Sequence, residues 1–174
     1  DAAMPAFRTA LLAAIDQWAV PLVGVVGHSL GGIAALGAVA ELAERDAAAT
    51  RALRVVSIGA PATVGRPLAR FIARHRASPE VVEAMLARFA ARWGSDFAAL
   101  ETEALVARCV AVDAVPALLV LHALDDEQVP VAEAGYLASL WPGAAVHLVE
   151  TGGHSALLRD AAVVARVLAA ITAR

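Results

Sequence analysis

Lysine does not occur in this chain of 174 residues: all 14 basic side chains are arginine, set against 17 acidic ones for a net charge of −3. They form no basic cluster, which leaves no electrostatic footprint for nucleic acid or for an anionic membrane. A single cysteine, Cys109, excludes an internal disulfide and supplies no metal-ligand cluster, so it reads as a small packed side chain. No uninterrupted apolar run reaches the roughly 18 residues of a membrane span, and the first residues lack a basic segment followed by an apolar one. These absences point to a cytoplasmic globular protein with no membrane span, unless a signal precedes Asp1. Neither a cofactor nor a metal is expected. Repeats and low-complexity linkers are also missing. What is abundant is alanine, which inflates the hydropathy; with the exclusive use of arginine it fits a GC-rich bacterial coding sequence. The length suits one domain with a sizeable core.

One run carries chemistry. Residues 21–26 are apolar and lead into Gly27-His28-Ser29-Leu30-Gly31, a Gly-x-Ser-x-Gly run followed by the helix-compatible Gly32-Ile33-Ala34-Ala35-Leu36. Strand, sharp turn and helix in that order hold a serine in a strained backbone conformation with its hydroxyl presented outward. Side chains at Gly27 and Gly31 are expected to collide with the neighbouring strand or helix. The run is weak evidence by itself and gains weight only if partners for Ser29 follow.

They follow in a definite order. Residues 116–121 have a buried-strand pattern and precede His122-Ala123-Leu124-Asp125-Asp126-Glu127-Gln128-Val129-Pro130; residues 144–149 are a further apolar run and precede Glu150-Thr151-Gly152-Gly153-His154. Serine, acid and histidine each come just after a strand. In a parallel sheet these strand ends share one edge, so the three side chains can converge outside it. A serine hydroxyl is a weak nucleophile near neutral pH and needs a base to take its proton, and the base needs an acid to orient it.

On Gly27-His28-Ser29-Leu30-Gly31-Gly32, on Leu119-Val120-Leu121-His122 with Asp126 in Asp-x-x-Val-Pro, and on Gly153-His154, the chain resembles the α/β-hydrolase superfamily, in particular small bacterial esterase-like members. The resemblance runs from about residue 21 to the C-terminus. It implies a serine hydrolase acting on a small-molecule acyl substrate, with Ser29 as nucleophile, Asp126 as orienting acid and His154 as base. Cleavage of a carboxylic ester is the first reading; acyl transfer, amide or thioester cleavage on the same triad, and a non-catalytic binding protein of this fold are the alternatives. Asp125, and after it Glu127, compete with Asp126 for the acid's place. The Leu30 N–H would be one donor to the oxyanion, and the fold takes the second from a loop after an earlier strand. Only a helix at residues 5–18 and one strand precede the Ser29 turn. The chain is therefore expected to be the N-terminally truncated part of a longer protein, its first strands missing and the strand at 21–26 left as an apolar edge. Met4 as a genuine start is the alternative.

The expected fold is α/β: a parallel sheet of four strands near residues 22–26, 53–58, 118–122 and 145–149, with right-handed crossovers and helices on both faces. Helices are expected at 130–141 and 160–171; in the latter, Val164, Val167, Leu168 and Ile171 make one apolar face. Residues 63–109 exceed what one crossover helix needs. Leu68, Phe71, Ile72 and His75 share a face, and Ser78-Pro79-Glu80 opens a second stripe of Val82, Met85, Leu86, Phe89 and Trp93 that ends at Gly94. This insertion is expected to be a helical lid over the site, the alternative being two helices that simply pack on the domain. Among the remaining histidines, His28 reads as structural or as a substrate contact, His122 as a turn residue, and His75 and His147 as fillers.

Overall fold

The computed structural model describes residues 4–18, 20–94 and 96–173. In chain order the elements are α1 (Met4–Gln17), β1 (Gly24–His28), α2 (Leu30–Arg45), α3 (Ala47–Ala52), β2 (Arg54–Ile58), α4 (Gly65–His75), α5 (Pro79–Trp93), α6 (Thr102–Ala111), β3 (Ala117–Ala123), α7 (Ala132–Leu140), β4 (Ala145–Val149) and α8 (Ala161–Thr172). Short 3-10 turns at Phe97–Leu100 and Ala156–Arg159 complete them.

The strands are short and rich in valine and leucine, and they pair in parallel in the order β1-β2-β3-β4. Their side chains alternate between two cores, as a period of two requires. Val55, Leu118 and Val120 pack with Leu36 and Val39 of α2, Leu105 and Cys109 of α6, and Leu137 of α7. Val56, Ile58 and Leu121 face the opposite way, against Val163, Val167 and Ile171 of α8. Both faces are therefore covered, and each crossover returns the chain to the same sheet edge. The first strand starts at Gly24, two residues later than the apolar run suggests, because the ladder opens with Arg54 N–H donating to Val23 O. It then runs to His28, immediately before Ser29. Strand β1 is an edge of the sheet, and its Val26 is 45% exposed.

The long connection from β2 to β3 divides in two. Its last helix, α6, buries Leu105, Val106 and Cys109 in the sheet core, so residues 102–109 belong to the domain rather than to an insertion overhanging it. Helices α4 and α5 are different: neither contains a fully buried residue. Ser78 accepts from Val81 N–H, Pro79 takes the first helical position, and Gly94 closes α5 in the left-handed conformation at φ 63°. The α5 stripe is half-buried at Val82, Leu86, Phe89 and Trp93, while Met85 is exposed. Among the described residues no helix is long and apolar enough to cross a membrane.

The glycines of the Ser29 turn separate by environment. A Cβ on Gly27 would run into the backbone of Gly31 and Gly32. A Cβ on Gly31 would meet nothing within 4 Å, contrary to the expected collision. Gly32 is the position that needs the space: a Cβ there would lie 2.5 Å from Ala60 Cβ and 2.9 Å from Ser57 Oγ. Gly32→Ala should therefore destabilise the protein by about 1–3 kcal/mol through overpacking. Gly31→Ala, in an open helical position, should be neutral or stabilising by up to about 1 kcal/mol. Urea unfolding of both variants checks this, and equal effects would contradict the packing described.

Candidate active site

Ser29 sits between the last residue of β1 and the first of α2, at φ 55° and ψ −126°. For a residue with a side chain such a backbone costs about 1–3 kcal/mol and persists only where its surroundings dictate it. Here the Ser29 N–H donates to Ile58 O and the Ser29 carbonyl accepts from Gly32 N–H, both at 2.9 Å, so the turn is tied to β2 and to α2. Leu30 opens α2, and its N–H precedes the first intrahelical hydrogen bond, which leaves it open to a ligand.

Asp126 lies in the turn after β3. Its Oδ1 accepts from the N–H groups of Gln128 at 2.9 Å and Val129 at 2.8 Å, closing the turn. Its Oδ2 accepts from His154 Nδ1 at 2.8 Å. The proton is thereby placed on Nδ1, and His154 Nε2 is left to accept from the Ser29 hydroxyl at 2.9 Å. Burial opposes the charge on Asp126, but the Val129, His154 and Gln128 donors outweigh it and hold the carboxyl below its ordinary range. Beneath the turn, His122 is fully buried and its Nε2–H donates to Val129 O at 2.9 Å. Gly59, beyond β2, takes the left-handed conformation at φ 54° beside the pair, and a Cβ there would make only ordinary contact with Asp126 Oδ2 at 3.4 Å and His154 Nδ1 at 3.5 Å.

The competing carboxylates have other places. Asp125 accepts from Gly153 N–H at 2.8 Å and Gly152 N–H at 3.2 Å, fixing the loop that carries His154. Glu127 is exposed. His28 stacks obliquely on His154, with ring centroids 4.8 Å apart, and its Nε2–H donates to the His154 carbonyl at 2.8 Å. His75 is exposed and stacks on Phe71, and His147 is half-buried on β4.

Ser29 and His154 open into a cavity of about 310 Å³ bordered by Leu30, Pro67, Arg70 and Gln128. Leu30 and Pro67 also border a second cavity of about 320 Å³, walled by Ile33, Phe71, Phe89 and Phe97. Among the described residues no group of three or more histidine, cysteine or acidic side chains is placed to hold a metal ion.

A family model described as Lipase (class 3) matches residues 6–88, a stretch that contains the Ser29 turn. No curated protein matches the chain. Solved structures do. The esterase domain of a Rhodothermus marinus protein superposes with a TM-score of 0.56 at 20% identity, over 95% of this chain and 64% of its own. Mouse alpha/beta hydrolase domain-containing protein 10 gives 0.59 at 18% identity, over 98% and 68%. The meta-cleavage product hydrolase of Pseudomonas fluorescens gives 0.61 at 16% identity, over 98% and 72%. The chain thus has the fold of these hydrolases. It spans about two thirds of the length of these α/β-hydrolase structures, and just under that of the Rhodothermus domain.

One residue beside this site was not singled out from the sequence. Glu133, near the start of α7, is 1% exposed and binds three partners: Ala62 N–H at 2.9 Å, Arg66 Nε at 2.8 Å and Arg70 Nη1 at 2.8 Å. It ties α4 to the domain beside the Ser29 cavity. The available signal was the pair Arg66 and Arg70, four apart on one helix face and in need of a carboxylate. Burial opposes the Glu133 charge, yet Arg66, the Ala62 N–H and Arg70 prevail and lower its proton affinity.

Asp126 and Glu133 thus both bind protons less tightly folded than unfolded. Their contribution is complete above the ordinary carboxylate pKa of about 4 and is lost as pH falls through their lowered folded values. The melting temperature should fall on acidification below about pH 4, and Glu133→Gln should fall less steeply while melting lower near pH 7. An acid slope for Glu133→Gln as steep as that of the unmodified protein would contradict the assignment.

Proposed function

We propose that the protein is a serine hydrolase that cleaves a carboxylic ester, or a closely related acyl bond, through an acyl-Ser29 intermediate. The observation that carries this reading is the unbroken relay from Asp126 Oδ2 to His154 Nδ1 at 2.8 Å and from His154 Nε2 to Ser29 Oγ at 2.9 Å. The Lipase (class 3) match and the esterase neighbour support it.

In the first half-reaction Ser29 Oγ attacks the ester carbonyl carbon while its proton passes to His154 Nε2. Negative charge builds on the carbonyl oxygen, and the Leu30 N–H at the head of α2 is placed to donate to it. Asp126, charged and oriented by two backbone N–H groups, stabilises the imidazolium without taking its proton. The ester C–O bond then breaks, and the departing alkoxide leaves as an alcohol with the proton from His154. A water repeats the sequence on the acyl-enzyme: its proton goes to His154, the acyl–Ser29 bond breaks, and Ser29 recovers the proton as the carboxylic acid departs. The apolar cavity beside Leu30 takes the hydrocarbon part of the substrate. Helices α4 and α5, which wall that cavity with Phe71 and Phe89 yet bury no residue fully, act as its lid.

Steady-state kinetics on a short-chain nitrophenyl ester test the proposal. Ser29→Ala and His154→Ala should each lower kcat by about 10⁴- to 10⁶-fold, and the double variant should be scarcely worse, because the two groups act in one step. Asp126→Asn should cost up to about 10⁴-fold by losing the imidazole's orientation and tautomer. Turnover that survives Ser29→Ala would place the chemistry elsewhere.

A further inference from the structure

The Ser29 cavity contains a cation that acyl transfer does not use. Arg70, on α4, borders it together with Ser29, His154 and Gln128, and none of the residues that border it is acidic. We propose that Arg70 is a subsite for an anionic group on the substrate, so that the preferred esters carry a carboxylate near the scissile bond. The proposal rests on the serine-hydrolase reading and specifies its substrate class.

Three observations support the assignment. The first is orientation. Arg70 Nη1 donates to Glu133 Oε1 at 2.8 Å, and Glu133 is itself buried and pinned by the Ala62 N–H. One corner of the guanidinium is thereby anchored, and among the described residues no hydrogen bond engages its Nε–H and Nη2–H edge, which suits the bidentate geometry that carboxylates favour. The second is charge. Arg66 Nε binds the same Oε1 at 2.8 Å, so two guanidiniums share one carboxylate and one positive charge is left over. Arg66 lies against the Tyr136 ring, 4.6 Å from its centroid, and does not border the Ser29 cavity, so Arg70 is the guanidinium that faces Ser29. Of the nearby acids, Asp126 is held by His154 and the Gln128 and Val129 N–H groups, while Glu101 and Glu103 border a different cavity with Arg66, not the one that Arg70 shares with Ser29. The third is segregation. The neighbouring cavity beyond Leu30 and Pro67 is apolar, so the two compartments suit an ester with a hydrocarbon part and a charged part.

The test compares three esters on the full protein: phenyl butyrate, 4-(butyryloxy)benzoate, which is charged on the alcohol side, and monophenyl succinate, charged on the acyl side. One of the two anionic esters should exceed phenyl butyrate in kcat/KM by about tenfold or more. Arg70→Gln should erase that ratio and Arg70→Lys should restore part of it, since lysine keeps the charge but not the fork. On the unmodified protein, added salt should depress kcat/KM for the preferred anionic ester more than for phenyl butyrate. An anionic-to-neutral ratio unmoved by Arg70→Gln would overturn the proposal and leave Arg70 as an anchor or an oxyanion donor; so would a preference for the neutral ester. Absence of Ser29-dependent turnover on all three would overturn the hydrolase reading itself, and the subsite with it.

Discussion

The site depends on one backbone conformation, the left-handed turn at Ser29. A strained serine between a parallel strand and a helix places its hydroxyl beyond the sheet edge, where residues carried by β3 and β4 can reach it. The strain is affordable because the surroundings dictate it: Gly27 and Gly32 have no Cβ where the helix closes on the strand, and Ile58 and Gly32 hold the turn by hydrogen bonds on either side. Packing energy from the sheet core thus supports a local conformation that the serine would not adopt alone.

Around that turn, carboxylates organise the loops. Asp126 closes its own turn and orients His154; Asp125 fixes the glycine pair before His154; Glu133 draws two arginines of α4 toward the domain. Asp126 and Glu133, the two that are buried, have donors arranged on them, which is the condition for keeping a charge out of water. The loops that bear function are therefore positioned by electrostatics, while the sheet beneath is positioned by apolar packing. Helices α4 and α5 lie between these regimes: α4 is tethered through Glu133, α5 is half-buried along one stripe, and neither has a fully buried residue.

The sheet was legible in the sequence because buried parallel strands read as short runs of valine and leucine, and β4 was located to the residue. The order of Ser29, Asp126 and His154 was legible because each follows such a run. Strand β1 was displaced by two residues, since an apolar run does not say where the ladder begins, and Arg54 decides that. Gly31 was misjudged and Gly32 overlooked because the pattern marks glycines without saying which of them faces Ala60 and Ser57. Within the expected insertion at 63–109, α6 carries the same alanine-rich pattern as its neighbours, and only its burial against α2 sets it apart from α4 and α5. Arg66 and Arg70, four apart on α4, called for a carboxylate, but that Glu133 of α7 supplies it depends on a contact between the two helices that no local pattern encodes.

The account's central claim is that Ser29 is nucleophilic because His154 and Asp126 make it so. Treatment with an alkyl fluorophosphonate, followed by mass-spectrometric mapping of the adduct, measures that reactivity directly, since fluoride leaves as the serine oxygen bonds to phosphorus. The account predicts a single phosphonylated residue, Ser29, and loss of the adduct in His154→Ala while the protein remains folded. A folded protein whose Ser29 stays unmodified, or an adduct that forms equally well without His154, would contradict it.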